Sequence, residues 1–194
     1  MEARPPDARA SAAAHRVGQL PTRQDGRLRG NVPGHLPGRR HSRAVGVADG
    51  EVPGGTTVFA DIPAVAQLNP ALLAQLRRAA TEAAGDGVEL DVNSGWRSAS
   101  YQEQLFQEAL AKYGSEEKAE RWVARPGTSV HEAGDAVDIG PSSATTWLGK
   151  KGADFGLCQI YRNEPWHYEL RTEAIAHGCP ATYADPTHDP RMQQ

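Results

Sequence analysis

Uninterrupted apolar runs long enough for a signal peptide or a membrane span are missing from this sequence, so no transmembrane segment is expected. Cysteine is scarce, with only Cys158 and Cys179 present. Their spacing fits neither a CxxC redox pair nor a zinc knuckle, which leaves a structural disulfide or two buried thiols. Aromatic side chains are absent before Phe59, and all twelve lie at or beyond it. Positive charge is also short where the chain folds. Residues 51–194 carry twelve Lys and Arg against twenty acids, a balance that gives no clustered basic surface for phosphate backbones, so no nucleic-acid partner is expected. No internal repeat is visible.

What is present divides the chain near residue 50. Residues 1–50 hold nine Arg against four acids, mixed with Pro, Gly, Ala and His, as in "RLRGNVPGHLPGRRHSRAVG". Without helical or strand period, this stretch has too little apolar surface to offset the entropy of ordering. It is read as a disordered leader. Residues 51–194 are then long enough for one domain with its own core, expected as a monomer.

Within that domain, "NPALLAQLRRAATEAAG" predicts a helix with Asn69 as N-cap and Pro70 first, burying Leu72, Leu73, Leu76, Ala79, Ala80 and Ala83 and stopping at Gly85. "GVELDVNSG" alternates as a half-buried strand and delivers the chain to "SGWRS". Ser100 and Glu103 have capping-box spacing ahead of a second helix that ends at Gly114, and Ser115 opens a short third. "DAVDI" and "EPWHYEL" read as strands, with a short irregular helix over "SSATTWLGKKGADFG". The strands lie too close together for βαβ crossovers, so the expected fold is α+β, a small antiparallel sheet with flanking helices.

"SVHEAGDAVDIG", residues 129–140, concentrates one His, one Glu and two Asp around a glycine. Neither a fully extended nor a helical path between His131 and Asp138 lets both reach one ion at about 2.0–2.2 Å. The chain has to fold back, and Gly134 suits the reversal because it tolerates positive φ. A rival pairing sets His131 with Asp135 on one helix face. The HExxH zinc-peptidase motif is absent. In "NEPWHYEL", Pro165 biases Glu164 toward extended backbone. Trp166, Tyr168 and Leu170 then share an apolar face, while His167 and Glu169 take the other. Two imidazoles and a carboxylate leave a tetrahedral zinc with an open position, the catalytic pattern.

The set Ser129-x-His131-x-x-Gly134-x-Ala136-x-Asp138, then Glu164-x-x-His167 within "EPWH", preceded by "SGWRS" and by Gln102 five residues after Arg97, resembles the zinc D-alanyl-D-alanine carboxypeptidases. These are the VanY-type members of a wider group with D-Ala-D-Ala dipeptidases, phage endolysin peptidases and the Hedgehog signalling domain. The resemblance covers roughly residues 56–190 and implies a zinc cleft on a Hedgehog-like or DD-peptidase-like fold. It implies His131, Asp138 and His167 as zinc ligands, Glu164 as catalytic base, and Arg97 stabilising the oxyanion or binding substrate. Ser129 and Gln102 would line the substrate pocket. It also implies a peptidoglycan stem peptide as substrate, an extracytoplasmic location and a Cys158–Cys179 disulfide. Because cell-wall members need export, the leader is expected not to be the natural start of the mature protein, through a misplaced start codon or a shifted frame.

Blander readings accompany each residue. Gln102 could sit on the solvated side of a helix start, Ser129 could satisfy a nearby backbone group, and Trp166 and Tyr168 are expected in the core. Glu132 and Asp135 are expected in solvent or orienting a ligand, and His177 and His188 in an exposed Pro/Asp-rich tail. Functionally, an endopeptidase or dipeptidase on the same scaffold competes with the carboxypeptidase. So does a non-catalytic zinc-stabilised module.

Overall fold

The computed structural model describes residues 44–193; the expected disorder of residues 1–43 lies outside them. Folded structure begins ahead of residue 51, because Val47–Asp49 form a 3-10 turn. The Asp49 carbonyl accepts the Ser98 N–H at 2.8 Å. Gly50 lies at φ 104°, and a Cβ there would come within 2.2 Å of the Trp96 carbonyl oxygen. Main-chain contacts rather than apolar side chains dock this segment, which is why the hydropathy pattern does not reveal it.

A short helix, α1 (Pro63–Ala66), leads to α2 (Pro70–Gly85), where the Asn69 side chain accepts the Ala71 N–H and Pro70 occupies the first turn. Leu72, Leu76, Ala79, Ala80 and Ala83 are buried along one face of α2. They meet the inner face of a four-stranded sheet of order β1-β2-β4-β3, antiparallel at every pairing. Its strands are β1 (Asp91–Ser94), β2 (Ala136–Gly140), β3 (Leu157–Gln159) and β4 (His167–Leu170). Val92, Val137, Ile139 and Tyr168 supply the sheet side of the core, each fully buried chain of this size contributing about 1.5–3 kcal/mol. This is the expected α+β architecture, one sheet face covered by helices and the other left for a site.

Between β1 and β2 lie α3 (Ala99–Tyr113) and α4 (Glu116–Ala119), which pack together around Phe106, Ala109 and Ala119. The cap of α3 is Ser98 and not Ser100: the chain leaves extended backbone at Ser98, whose hydroxyl accepts the Tyr101 N–H at 3.2 Å. The Ser100 hydroxyl lies 2.9 Å from that of Ser98. After β2, α5 (Ser142–Lys151) runs into a 3-10 turn, Gly152–Phe155, as its irregular pattern implied. Strand β3 was not anticipated, since three residues carry no readable period. Its Cys158 forms a disulfide with Cys179, beyond α6 (Ala174–His177).

Candidate metal centre

Alternation along β2 and β4 sends Val137, Ile139 and Tyr168 into the core and leaves Asp138, His167 and Glu169 on the opposite face. The register sets Asp138 directly across from His167. His131 joins them by the predicted reversal: the Gly134 N–H donates to the His131 carbonyl at 3.1 Å and the Asp135 N–H to the Val130 carbonyl at 2.9 Å. Gly134 lies at φ 75°, where a Cβ would sit 2.4 Å from the Gln67 carbonyl oxygen, so both conformation and space require glycine. His131, Asp138 and His167 are all buried, and one ligating atom of each lies within 4.8 Å of the others. The rival pairing is not formed, because Asp135 is exposed and accepts the Asn69 side-chain amide at 3.0 Å.

The two imidazoles are turned in opposite senses. The His131 Nδ1–H donates to the Gly95 carbonyl at 2.8 Å, which leaves Nε2 3.5 Å from Asp138 Oδ1. The His167 Nε2–H donates to Glu169 Oε1 at 3.3 Å, which turns Nδ1 toward the same Asp138 Oδ1 at 3.2 Å. Asp138 Oδ2 accepts from Arg97 Nη2 at 3.0 Å. Each of the three donors thus has an outer partner that fixes its orientation, and two nitrogens with one carboxylate match a tetrahedral zinc site with one open position.

Electrostatics agree with that fit. Burial alone would raise the Asp138 carboxyl, but His131, His167 and Arg97 outweigh it and hold the group well below its usual range. Burial, aided by Arg97, pushes His131 down. Burial also works against charge on His167, yet its bonds to Asp138 and Glu169 prevail and raise it to about 9. Burial raises the Glu164 carboxyl to about 8, only partly opposed by His167. Glu164 Oε1 is buried without a hydrogen-bond partner among the described residues, while Oε2 stands 3.8 Å from His167 Nδ1. A buried orphaned carboxylate oxygen on the wall of the cleft that holds the three convergent donors is a group that a nearby cation or its water would satisfy.

A cleft opens over this cluster, lined by Arg97, Ser129, His131, Asp138, Glu164 and His167 among others. Arg97 is held at three points, donating to Ser94 Oγ at 2.8 Å, Gln102 Oε1 at 3.2 Å and Asp138. Two expectations need correction. Gln102 neither faces solvent nor lines the cleft: it is 0% exposed, sits behind Arg97 and donates to the Ala124 carbonyl. Trp166 is not in the core but lines the cleft, because regular alternation starts only at His167, whereas Tyr168 is buried as expected. Glu132 is engaged with the Gly127 N–H. The sequence reading passed over Tyr161, Asp189 and Arg191, which lie behind His167, and over Pro186 and Met192 on the cleft wall. Glu169 carried a readable signal, an acid two residues from His167 on the same strand face.

A small antiparallel sheet carrying His, Asp and His over a buried glutamate is the frame of a zinc-peptidase-like protein. The family model described as VanY, D-alanyl-D-alanine carboxypeptidase, matches residues 65–172, and the chain belongs to this family. A curated D-alanyl-D-alanine carboxypeptidase of Enterococcus faecalis (strain ATCC 700802 / V583) is 34% identical over 111 residues, 44% of this chain and 41% of that protein. The chain therefore spans about two fifths of that relative's length. Among solved structures, a zinc(II) complex of a variant of the vancomycin-resistance D,D-pentapeptidase VanY from a VanB-type cassette is 31% identical, with a TM-score of 0.50 over 53% of this chain and 72% of that one. VanYB in complex with D-alanine-D-alanine is 29% identical, with a TM-score of 0.52 over 57% and 78%. The LD-carboxypeptidase LdcB is 25% identical, with a TM-score of 0.51 over 63% and 68%.

Proposed function

We propose that this protein is a zinc-dependent carboxypeptidase that removes the terminal D-alanine from peptidoglycan stem peptides, acting outside the cytoplasm as a monomer. His131, Asp138 and His167 would hold the zinc. The observation that carries the reading is Glu164 on the wall of the same cleft, whose Oε2 stands 3.8 Å from His167 Nδ1 and whose buried Oε1 has no hydrogen-bond partner among the described residues. Family membership supports it, as do the zinc(II) and D-Ala-D-Ala complexes of the structural relatives. Among the described residues no helix is long and apolar enough to cross a membrane.

Bound zinc supplies a Lewis acid and lowers the pKa of a water to near neutrality. The chain's own residues do the rest. Glu164, ionised once the zinc is bound, takes the proton of the attacking water and returns it to the departing amine of D-alanine. Arg97, fixed by Ser94, Gln102 and Asp138, presents a preorganised positive charge to the oxygen that becomes anionic, without reorganising during the reaction. Ser129, on the cleft wall, hydrogen-bonds the bound peptide. Gln102 acts at one remove, by holding Arg97.

Elemental analysis of the full chain, paired with D-alanine release from a muramyl pentapeptide before and after chelation, tests the reading. About one zinc per chain and chelator-sensitive release of a single D-alanine are expected. Stoichiometric zinc with cleavage of a different bond would move the substrate, and no metal after zinc reconstitution would remove the site.

A further inference from the structure

The segment after α6 reads as a Pro/Asp-rich tail, yet it folds back behind His167. Glu169 is 1% exposed and takes four hydrogen bonds from three residues. His167 Nε2–H reaches Oε1 at 3.3 Å, and Arg171 Nη2 reaches Oε2 at 2.7 Å. Arg191 spans both oxygens, Nη1 to Oε2 at 2.7 Å and Nη2 to Oε1 at 3.2 Å. It is thus the arginine that touches the very oxygen accepting from His167, in the two-pronged geometry that gives Arg–carboxylate pairs their directionality.

Arg191 is itself anchored. Its Nε donates to both oxygens of Asp189 at 3.0 Å, and its main-chain N–H to Asp189 Oδ1 at 2.9 Å. Asp189, fully buried, also accepts the Tyr161 hydroxyl at 3.0 Å. The Tyr161 ring lies against the His167 imidazole, centroids 4.9 Å apart. Both supports behind His167, the Glu169 carboxylate and the Tyr161 ring, are therefore secured by residues 189–191, beyond residues 65–172 that the family matches.

We propose that Glu169 and Arg191 are positioning residues that choose which nitrogen of His167 serves the metal: Glu169 keeps the proton on Nε2 and turns Nδ1 to Asp138, and Arg191 holds Glu169 in that pose. This rests on reading His131, Asp138 and His167 as a zinc site. Without Arg191 the Glu169 carboxylate would be held only at Oε2, by Arg171, so Oε1 would be free to rotate away from Nε2 and the imidazole would lose its fixed orientation. Partners of this outer kind are typically worth 10–100-fold in metal affinity. The C-terminal segment then belongs to the metal centre although it supplies no ligand.

The test is a chelator-competition titration of zinc into the full-length wild type, Arg191→Met and Arg191→Lys, with 15N NMR of the zinc-loaded histidines. Arg191→Met is expected to lose about 10–100-fold in zinc affinity. Arg191→Lys should lose less, because it keeps the charge but not the two-pronged contact. In the wild type, His167 should carry its proton on Nε2. Wild-type zinc affinity in a folded Arg191→Met would overturn the inference. So would a His167 proton on Nδ1 in the zinc-loaded wild type, a result that does not depend on any variant folding. Failure of the wild type itself to take up zinc would instead overturn the metal reading, and this inference with it.

Discussion

His131 and His167 face one carboxylate oxygen, yet the two walls that carry them are built by different physics. The His131 wall is held by main chain: the Gly95 carbonyl fixes the ring, and the turn closing at Gly134 places it. Gly95 packs so tightly on α1 that a Cβ there would come within 2.0 Å of the Ala64 carbonyl oxygen. The His167 wall is held by charge, through Glu169, Arg191 and Asp189, with Glu164 at its edge. Backbone carbonyls do not titrate and cannot be deleted by substitution, whereas carboxylates and guanidinium groups do one or the other. Sensitivity to pH and to mutation should therefore concentrate on the His167 wall.

The largest effect is expected at Glu164. Glu164→Gln keeps the shape of the wall and removes the proposed proton carrier, so turnover should fall about 10²–10⁴-fold while zinc content stays at the wild-type level. Metal analysis beside single-turnover kinetics checks this, and undiminished turnover in the zinc-loaded variant would take the base away from this wall. Next is the pH dependence of the chelated protein. The Glu164 carboxyl stands at about 8 against an ordinary 4.5, and His167 at about 9 against 6.5. Both groups bind more protons folded than unfolded, Glu164 between pH 4.5 and 8 and His167 between 6.5 and 9, so each contribution is lost as pH rises through its window. His131, pushed down, acts in the opposite sense only below 6.5. Denaturation of metal-free protein should therefore show the steepest loss between pH 6.5 and 8. The loss should be on the order of a few kcal/mol, since each tenfold change in proton affinity is worth about 1.4 kcal/mol. Glu164→Gln should flatten the profile; a flat profile in the wild type would erase the contrast between the walls.

The same contrast explains what could be read from the sequence. Local rules carried part of the site: period-two alternation put His167 and Glu169 on one face, and reach arguments forced a reversal that Gly134 suits, whereas the set of His131, Asp138 and His167 came from the family resemblance. The outer partners obeyed no local rule. Arg191 meets Glu169 across 22 positions, and an arginine in a Pro/Asp-rich stretch has no period to betray its target. Nor does any side-chain pattern announce that the Gly95 carbonyl will receive the His131 ring. Gln102, placed on the pocket wall by the resemblance and in solvent by the blander reading, was misplaced by both for a related reason, since no local pattern shows that it bonds Arg97 and the Ala124 carbonyl. Trp166 failed on phase, lying one residue ahead of the strand whose alternation was extended to include it.

A smaller effect is expected from the disulfide, which braces the His167 wall from outside: Cys158 on β3 pairs directly with Glu169 on β4. Replacing both cysteines by Ala opens a loop with a sequence separation of 21 and should cost about 3 kcal/mol in denaturant unfolding. Zinc affinity should stay at the wild-type level, since Arg171 and Arg191 still clamp the Glu169 carboxylate. A parallel loss of zinc would assign the support of this wall to the cross-link rather than to charge.

The smallest effect should come from Asp135, four residues from His131 and the acid that a helical reading would have paired with it. In the folded chain its carboxylate leaves the site and accepts from the Asn69 side chain at the start of α2, on the exposed side of the turn. The turn itself is closed by main-chain bonds, including the Asn69 N–H to the Gly134 carbonyl at 2.9 Å, which survive loss of the carboxylate. Asp135→Ala should accordingly change stability by no more than about 0.5 kcal/mol and leave zinc affinity and turnover at wild-type values. Competition titration with zinc is the sensitive check, because it reads His131 directly. If affinity dropped as it is expected to in Arg191→Met, the His131 wall would also depend on a charged side chain, and main chain alone would not account for its rigidity.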